Sequence, residues 1–328
     1  MAAGVFIAGF LLILLGSEAA LRGGVGLARI FDISPLWIGA VVIATLTVAP
    51  ELFVSLRAVS LGAPALALGG LIGTNIINLL FVMGLGALIH PMASPPKVVL
   101  RDNGTLLLAC AGLVVCALTG AVSRQAGILM LVALVGYVAV VIVTDWRRAP
   151  EHSVPQSRAL YRSHGEIPTV IGTLFLLFMG LILMALGSQF AVVGSIAFSR
   201  QWGWAETTMG VTVLAAALSL PKLFATLVAA TRRQTSIAVG QLLGAGVFGL
   251  LGVLGITAVV APLVFPHALA ATDVYVLAGA SAVLLPLLAM RWRLSRPRGV
   301  LLIVAYGCYL AYVLLRQGVS LPVHLPWG

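Results

Sequence analysis

Residues 44–51 read Ala44-Thr45-Leu46-Thr47-Val48-Ala49-Pro50-Glu51, and residues 215–222 read Ala215-Ala216-Ala217-Leu218-Ser219-Leu220-Pro221-Lys222. Each is a proline-interrupted apolar run ending in a charged residue. Pro50 has no N–H, so the carbonyl of Leu46 is left without its helical partner. At membrane depth, freed backbone and a carboxylate survive only where they face protein or a water-filled cavity. Thr47 and Glu51 are four residues apart and share a helix face with that carbonyl. The first run therefore predicts a buried, oxygen-lined site inside a membrane helix.

The composition agrees. Of 328 residues, 61% are hydrophobic and 9% are charged, against about 25% charged in soluble domains. This excludes a soluble enzyme, a disordered protein and a nucleic-acid module. Lys and Arg number 19 against 9 Asp and Glu, an excess expected of the basic cytoplasmic loops of a membrane protein. Val5 to Leu15 resembles the apolar core of a signal peptide. No basic segment precedes it, however, and the helical pattern continues past Glu18 to Ile30, so a membrane helix is expected.

A crossing takes about 20 apolar residues. Breaks at charges, Pro and Gly predict ten spans, near 3–30, 36–60, 65–90, 101–120, 125–144, 167–199, 205–230, 236–265, 270–290 and 298–316. The polar stretch Asp145 to Glu166 divides them into five and five, giving a first repeat over 1–144, a cytoplasmic loop over 145–166 and a second repeat over 167–328. Fourteen basic residues, among them Arg22, Arg147, Arg148, Arg158, Arg162, Arg232 and Arg291, fall on one side, and four (Arg57, Arg124, Arg200, Arg316) on the other. The imbalance predicts both termini outside, the central loop in the cytoplasm, and a plasma-membrane location.

The two halves match at a fixed offset of 171 residues. Gly16-Ser17 pairs with Gly187-Ser188, Gly39 with Gly210, Ala44 with Ala215, and Pro50-x-Leu52-Phe53 with Pro221-x-Leu223-Phe224. Farther on, Gly69, Gly73 and Gly84 pair with Gly240, Gly244 and Gly255. With five spans per half, the second half inserts upside down. The expected fold is all-α, ten transmembrane helices in two inverted five-helix repeats, the layout of alternating-access transporters with a site at midplane.

Gly73-Thr74-Asn75-Ile76-Ile77-Asn78 in the third span adds further oxygen ligands, with Thr74 and Asn78 on one face. Together with Thr47 and Glu51 these are hard donors suited to Na⁺ or Ca²⁺. Interhelical hydrogen bonding is the competing role for Thr74, Asn75 and Asn78. Glu18 lies one turn from Arg22 and is expected to pair with it. Cys110, Cys116 and Cys308 sit in apolar runs without metal spacing and read as small hydrophobes. The five histidines (His90, His152, His164, His267, His324) fall in loops or at span ends and form no metal pattern. No nucleophile–base pair, phosphate loop or cofactor motif is present. The expected partners are the lipid bilayer and inorganic cations, not nucleic acid.

Ala44 to Glu51 followed by Gly73 to Asn78 resembles the first alpha-repeat of the sodium/calcium exchanger (cation/calcium antiporter) superfamily, whose usual pattern is G-[TN]-S-[LM]-P-E and then G-S-N-[IV]-x-[ND]. The first repeat motif spans about 36–90 and the second about 205–265. The resemblance implies a diamond of Na⁺ and Ca²⁺ sites, carried over onto Ala44, Thr47, Glu51, Thr74 and Asn78 in the first repeat. Val48 stands where Ser is usual. In the second repeat Leu218 replaces the family's Thr and Lys222 its Glu, leaving Ser219 and the carbonyl freed by Pro221. Gly244-Ala245-Gly246-Val247-Phe248-Gly249 replaces the second G-S-N motif.

A Ca²⁺ site takes six to eight oxygens and normally more than one carboxylate, whereas Glu51 and Lys222 sum to zero charge. The expectation is an internal ion pair in which Lys222 takes a cation's place. Three readings follow: a divergent cation antiporter for Na⁺ or H⁺ rather than tightly bound Ca²⁺; a non-transporting scaffold or regulatory subunit; and an anion-handling transporter drawn to Lys222.

Overall fold

The computed structural model describes residues 2–31, 43–146, 170–289 and 293–316. The expected central loop over 145–166, with Arg147, Arg148, Arg158 and Arg162, lies outside these residues apart from the end of one helix. So do residues 36–42 of the second span, Arg291, His152, His164 and His324.

Ten helical segments are present among the described residues. They are α1 (Ala2–Ile30), α2 (Ala44–Ser60), α3 (Pro64–Ile89), α4 (Pro96–Thr119), α5 (Arg124–Trp146), α6 (Val170–Trp202), α7 (Glu206–Thr231), α8 (Thr235–Val260), α9 (Leu269–Leu288) and α10 (Arg296–Arg316). All but α2 are long and apolar enough, as described, to cross a membrane. Two boundaries move from expectation. Helix α4 begins at Pro96, because proline suits the first helical turn, where its missing N–H would have no partner anyway. Helix α8 ends at Val260, and residues 263–264 form a short strand instead of continuing the span to 265.

The repeats interlock. Helix α1 lies along α6, α4 along α9, the first half of α10 against the second half of α3, and α5 against the end of α8. The α1–α6 pair is closely packed because Gly9 faces Gly187 and Gly16 faces Gly180, while Gly23 seats Leu177 and Gly194 seats Phe6. A Cβ on Gly16 would lie 2.7 Å from the Gly180 carbonyl oxygen, so the two backbones are nearly in contact, as small residues permit between membrane helices. Strand β1 (Ala121–Val122) pairs antiparallel with β2 (Leu263–Val264), and Met92 bridges Leu294. These two links are repeat-related, since Leu263 is the counterpart of Met92. Helices α3 and α8 are buried on most sides, while α1, α5, α6 and α10 turn broad apolar faces outward.

The repeat extends to details. Helix α3 widens to a π-helical turn over Ile77–Val82, and α8 does so over the equivalent Phe248–Val253. Such turns interrupt the regular hydrogen-bond ladder and are frequent at functional sites. The turn between α2 and α3 holds Gly62 at φ 74°, and its counterpart Arg233, between α7 and α8, is held at φ 58°.

Candidate functional site

Helices α2, α3, α7 and α8 meet at the centre of the molecule, where the two repeats cross. Proline interrupts α2 at Pro50 and α7 at Pro221, one turn after the residues whose carbonyls they release. Glu51 and Lys222 follow these prolines, and the Lys222 ammonium donates to Glu51 Oε1. Both residues are only 3% exposed. An ion pair this deep is held by its geometry, and removing one partner leaves an uncompensated buried charge.

On α2, α3 and α7, six buried side-chain oxygens have no hydrogen-bond partner: Glu51 Oε2, Thr74 Oγ1, Asn78 Oδ1, Thr208 Oγ1, Ser219 Oγ and Thr226 Oγ1. Buried polar atoms are normally satisfied. A set of unsatisfied oxygens on the helices that meet at Glu51 is chemically suited to a hard cation or to water. Thr47 is half-buried and donates to the Ile43 carbonyl at 2.7 Å, which leaves its oxygen lone pairs available. Ala44 is partly buried and offers only its backbone.

Asn75 has a different setting. Its Nδ2 donates to the Leu71 carbonyl at 2.8 Å. Its Oδ1 lies where a Cβ on Gly246, its own repeat counterpart, would approach to 2.9 Å. A Cβ on Gly249, the counterpart of Asn78, would lie 3.4 Å from Asn75 Nδ2. The amide from the first repeat thus fills space left by the missing side chains of the second.

Two further buried carboxylates escaped the sequence reading because they sit near helix starts, where acids pass for loop residues. Asp102 on α4 accepts from the Tyr137 hydroxyl at 3.0 Å and from Arg101 at 2.7 Å. Asp273 on α9 accepts from the Tyr309 hydroxyl at 2.7 Å and from Arg316 at 3.3 Å. The two aspartates are repeat counterparts, and the 171-residue offset was the signal that could have found them. Glu18 and Arg22 pair at 2.6 Å on the exposed side of α1, as expected.

The profile of the family described as "Sodium/calcium exchanger protein" matches residues 1–143 and 172–315. The chain belongs to this family. The break in the match falls on the central polar stretch between the repeats. The putative antiporter CaxA of Alkalimonas amylolytica is 30% identical over 92% of this chain and 95% of that protein. The sodium/calcium exchanger MaX1 of Methanosarcina acetivorans is 22% identical, covering 93% of this chain and 96% of its own length. Among solved structures, the sodium-calcium exchanger NCX_Mj soaked with Na⁺ and Sr²⁺ superposes with a TM-score of 0.63 at 25% identity, over 94% of this chain and 98% of that one. The chain is therefore an integral membrane protein of the sodium/calcium exchanger family with that family's all-α inverted-repeat fold. These two relatives are named an antiporter and an exchanger.

Proposed function

We propose that this protein is a secondary-active cation antiporter working by alternating access at a midplane site around Glu51, in which Lys222 stands in for one cation. Thr47, Thr74, Asn78, Ser219 and the freed carbonyl of Leu46 supply the remaining oxygens, Ala44 contributes backbone, and Asn75 shapes the wall of the site. The observation that carries this reading is the buried contact of Glu51 with Lys222 at repeat-equivalent positions, beside oxygens without partners. The pair is neutral. A divalent ion would face one carboxylate and one ammonium, whereas a Ca²⁺ site normally collects several carboxylates. The transported ion is accordingly Na⁺ or H⁺ in preference to tightly bound Ca²⁺. The basic-residue imbalance supports a plasma-membrane orientation with both termini outside and the central loop in the cytoplasm.

The test is cation flux in liposomes holding purified protein. Na⁺, H⁺ and Ca²⁺ movements are followed in wild type, Glu51→Gln and Lys222→Glu. Wild type is expected to move Na⁺ or H⁺, Glu51→Gln to lose that flux, and Lys222→Glu to gain Ca²⁺ binding or flux. Ion flux unaffected by Glu51→Gln would remove Glu51 from the site, and absence of flux of any ion would point to a scaffold role.

A further inference from the structure

We propose that Lys222 lets the ion-free protein close and reorient, so that net one-way cation flux accompanies exchange instead of being forbidden. This rests on Glu51 being the site of the transported cation.

An alternating-access protein is a strict exchanger only if its ion-free form cannot close. With a carboxylate at the centre and no cation, closure strips water from an uncompensated charge, which is strongly unfavourable. The ion-free protein then waits, open on one side, until a new cation arrives. Here that barrier is absent. Glu51 is contacted by the Lys222 ammonium, a counter-charge that the chain itself carries, and both side chains are almost completely buried.

Among the described residues, no other charge is set beside the pair; on α6, which packs on α2 and α7, the one charged residue, Arg200, is exposed in the last turn. Helices α3 and α8, both packed on α7, contain no titratable residue. Among the described side chains of α1, Glu18 and Arg22 are exposed and paired with each other. On α2 the other charged residue, Arg57, donates to Ser60, and on α7 the other is Glu206, in the first turn. The centre of the closed, ion-free protein is thus neutral. Its counter-cation is covalently attached and returns with the protein, so no second ion has to make the journey.

The charge balance also fixes what drives the flux. A monovalent cation entering beside Glu51 Oε2 and the unpartnered Ser219, Thr74 and Asn78 oxygens brings the centre to one positive charge, because the ammonium stays. The loaded form carries charge across the membrane and the returning form carries none. Net flux therefore follows the membrane potential. Replacing Lys222 by a neutral residue inverts this: the loaded centre becomes neutral and the ion-free centre negative, which is the condition for strict exchange.

Liposomes holding the full chain separate these cases with Na⁺ as probe. Exchange is read as radioactive Na⁺ movement at equal Na⁺ on both sides, and net flux as Na⁺ loss into Na⁺-free choline medium, with the potential clamped by valinomycin and K⁺. Wild type should show net flux within about tenfold of exchange, rising when the potential pulls cations outward. In Lys222→Gln the ratio of net flux to exchange should fall at least about 100-fold whatever the exchange rate itself becomes, the scale an uncompensated buried charge implies. Lys222→Arg, which keeps a fixed cation, should retain net flux. Wild-type exchange without net flux, an unchanged ratio in Lys222→Gln, or net flux indifferent to potential overturns the proposal while leaving the Glu51 site standing. The potential dependence decides in wild type alone, should Lys222→Gln not fold. Exchange undiminished by Glu51→Gln, or no flux of either kind in wild type, instead defeats the site on which the proposal rests.

Discussion

Because Lys222 and Glu51 are each only 3% exposed and in direct contact, their coupling should dominate the stability of the molecule's centre. Lys222→Met alone leaves the carboxylate buried and unpaired, and Glu51→Met alone leaves the ammonium so. Each single change is expected to destabilise by about 3–5 kcal/mol, whereas replacing a buried pair by apolar residues of similar volume is often neutral or stabilising. The double variant Glu51→Met/Lys222→Met should therefore lie near wild type, and the cycle should return a coupling of about 3 kcal/mol or more.

The assay is unfolding in mixed detergent micelles, with the midpoint and slope measured for all four proteins. The molecule supplies its own control. Glu18 and Arg22 form an ion pair of similar chemistry at 2.6 Å, but their side chains are 57% and 55% exposed. That cycle should give only about 0.3–0.5 kcal/mol, as solvated pairs four apart on a helix do. If the central cycle were additive to within about 0.5 kcal/mol, the buried pair would not exist in the folded protein. The reading of Lys222 as an internal cation would then fall with it.

Two other consequences are open to the same measurement. Arg233 is held in the left-handed region at φ 58°, where its counterpart is Gly62. A non-glycine residue pays about 1–2 kcal/mol there, so Arg233→Gly should stabilise by about 0.5–1 kcal/mol after the extra freedom of unfolded glycine is counted, and a loss of stability would contradict the turn geometry. Asp273 is fully buried and accepts from Tyr309 and Arg316. Asp273→Asn should cost about 3–5 kcal/mol by leaving the guanidinium without its carboxylate, and adding Arg316→Gln should recover part of that loss; no recovery would mean the pair is incidental.

The helices, the inverted repeat and the Glu51–Lys222 contact were legible in the sequence, because each rests on a signal that the bilayer makes strong. Charges are few, a proline inside an apolar run is conspicuous, and a constant offset multiplies weak matches. What escaped lacked such contrast. The glycines that seat α1 on α6 are diluted among 36 in the chain, and only Gly16 with Gly187 stood out. The π-helical turns at Ile77–Val82 and Phe248–Val253 arise from packing between helices, which no local pattern of leucines and glycines encodes. Asp102 and Asp273 lie within the first two turns of their helices, so hydropathy alone assigns them to the surface, and only the fold brings Tyr137 and Tyr309 over them. The motif position of Asn75 predicts an ion ligand, whereas its amide nitrogen is committed to the Leu71 carbonyl.

Asn75 also bears on whether the second repeat has decayed. Its counterpart is Gly246, where a Cβ would sit 2.9 Å from Asn75 Oδ1 and 3.1 Å from Leu106 Cδ1 and Cδ2. Near the centre of an inverted repeat, equivalent residues face each other, so a change in one is felt by its own counterpart. Lys222 faces Glu51 with the opposite charge, and Gly246 faces Asn75 with the space the amide needs. Unselected loss of ligands would leave unmatched charges and voids, whereas here the departures at Lys222, Gly246 and Gly249 are complemented across the repeat. The complementarity is testable by exchange of positions. Gly246→Asn alone places two amides in one space and should destabilise by about 1–3 kcal/mol, and Asn75→Gly alone should cost about 2–3 kcal/mol in lost packing and helix propensity. The double variant Asn75→Gly/Gly246→Asn hands the single amide to the other repeat and should recover at least half of the summed loss. Additive effects would show that the two positions do not share one space, and would remove the structural case that the second repeat is adapted to the first.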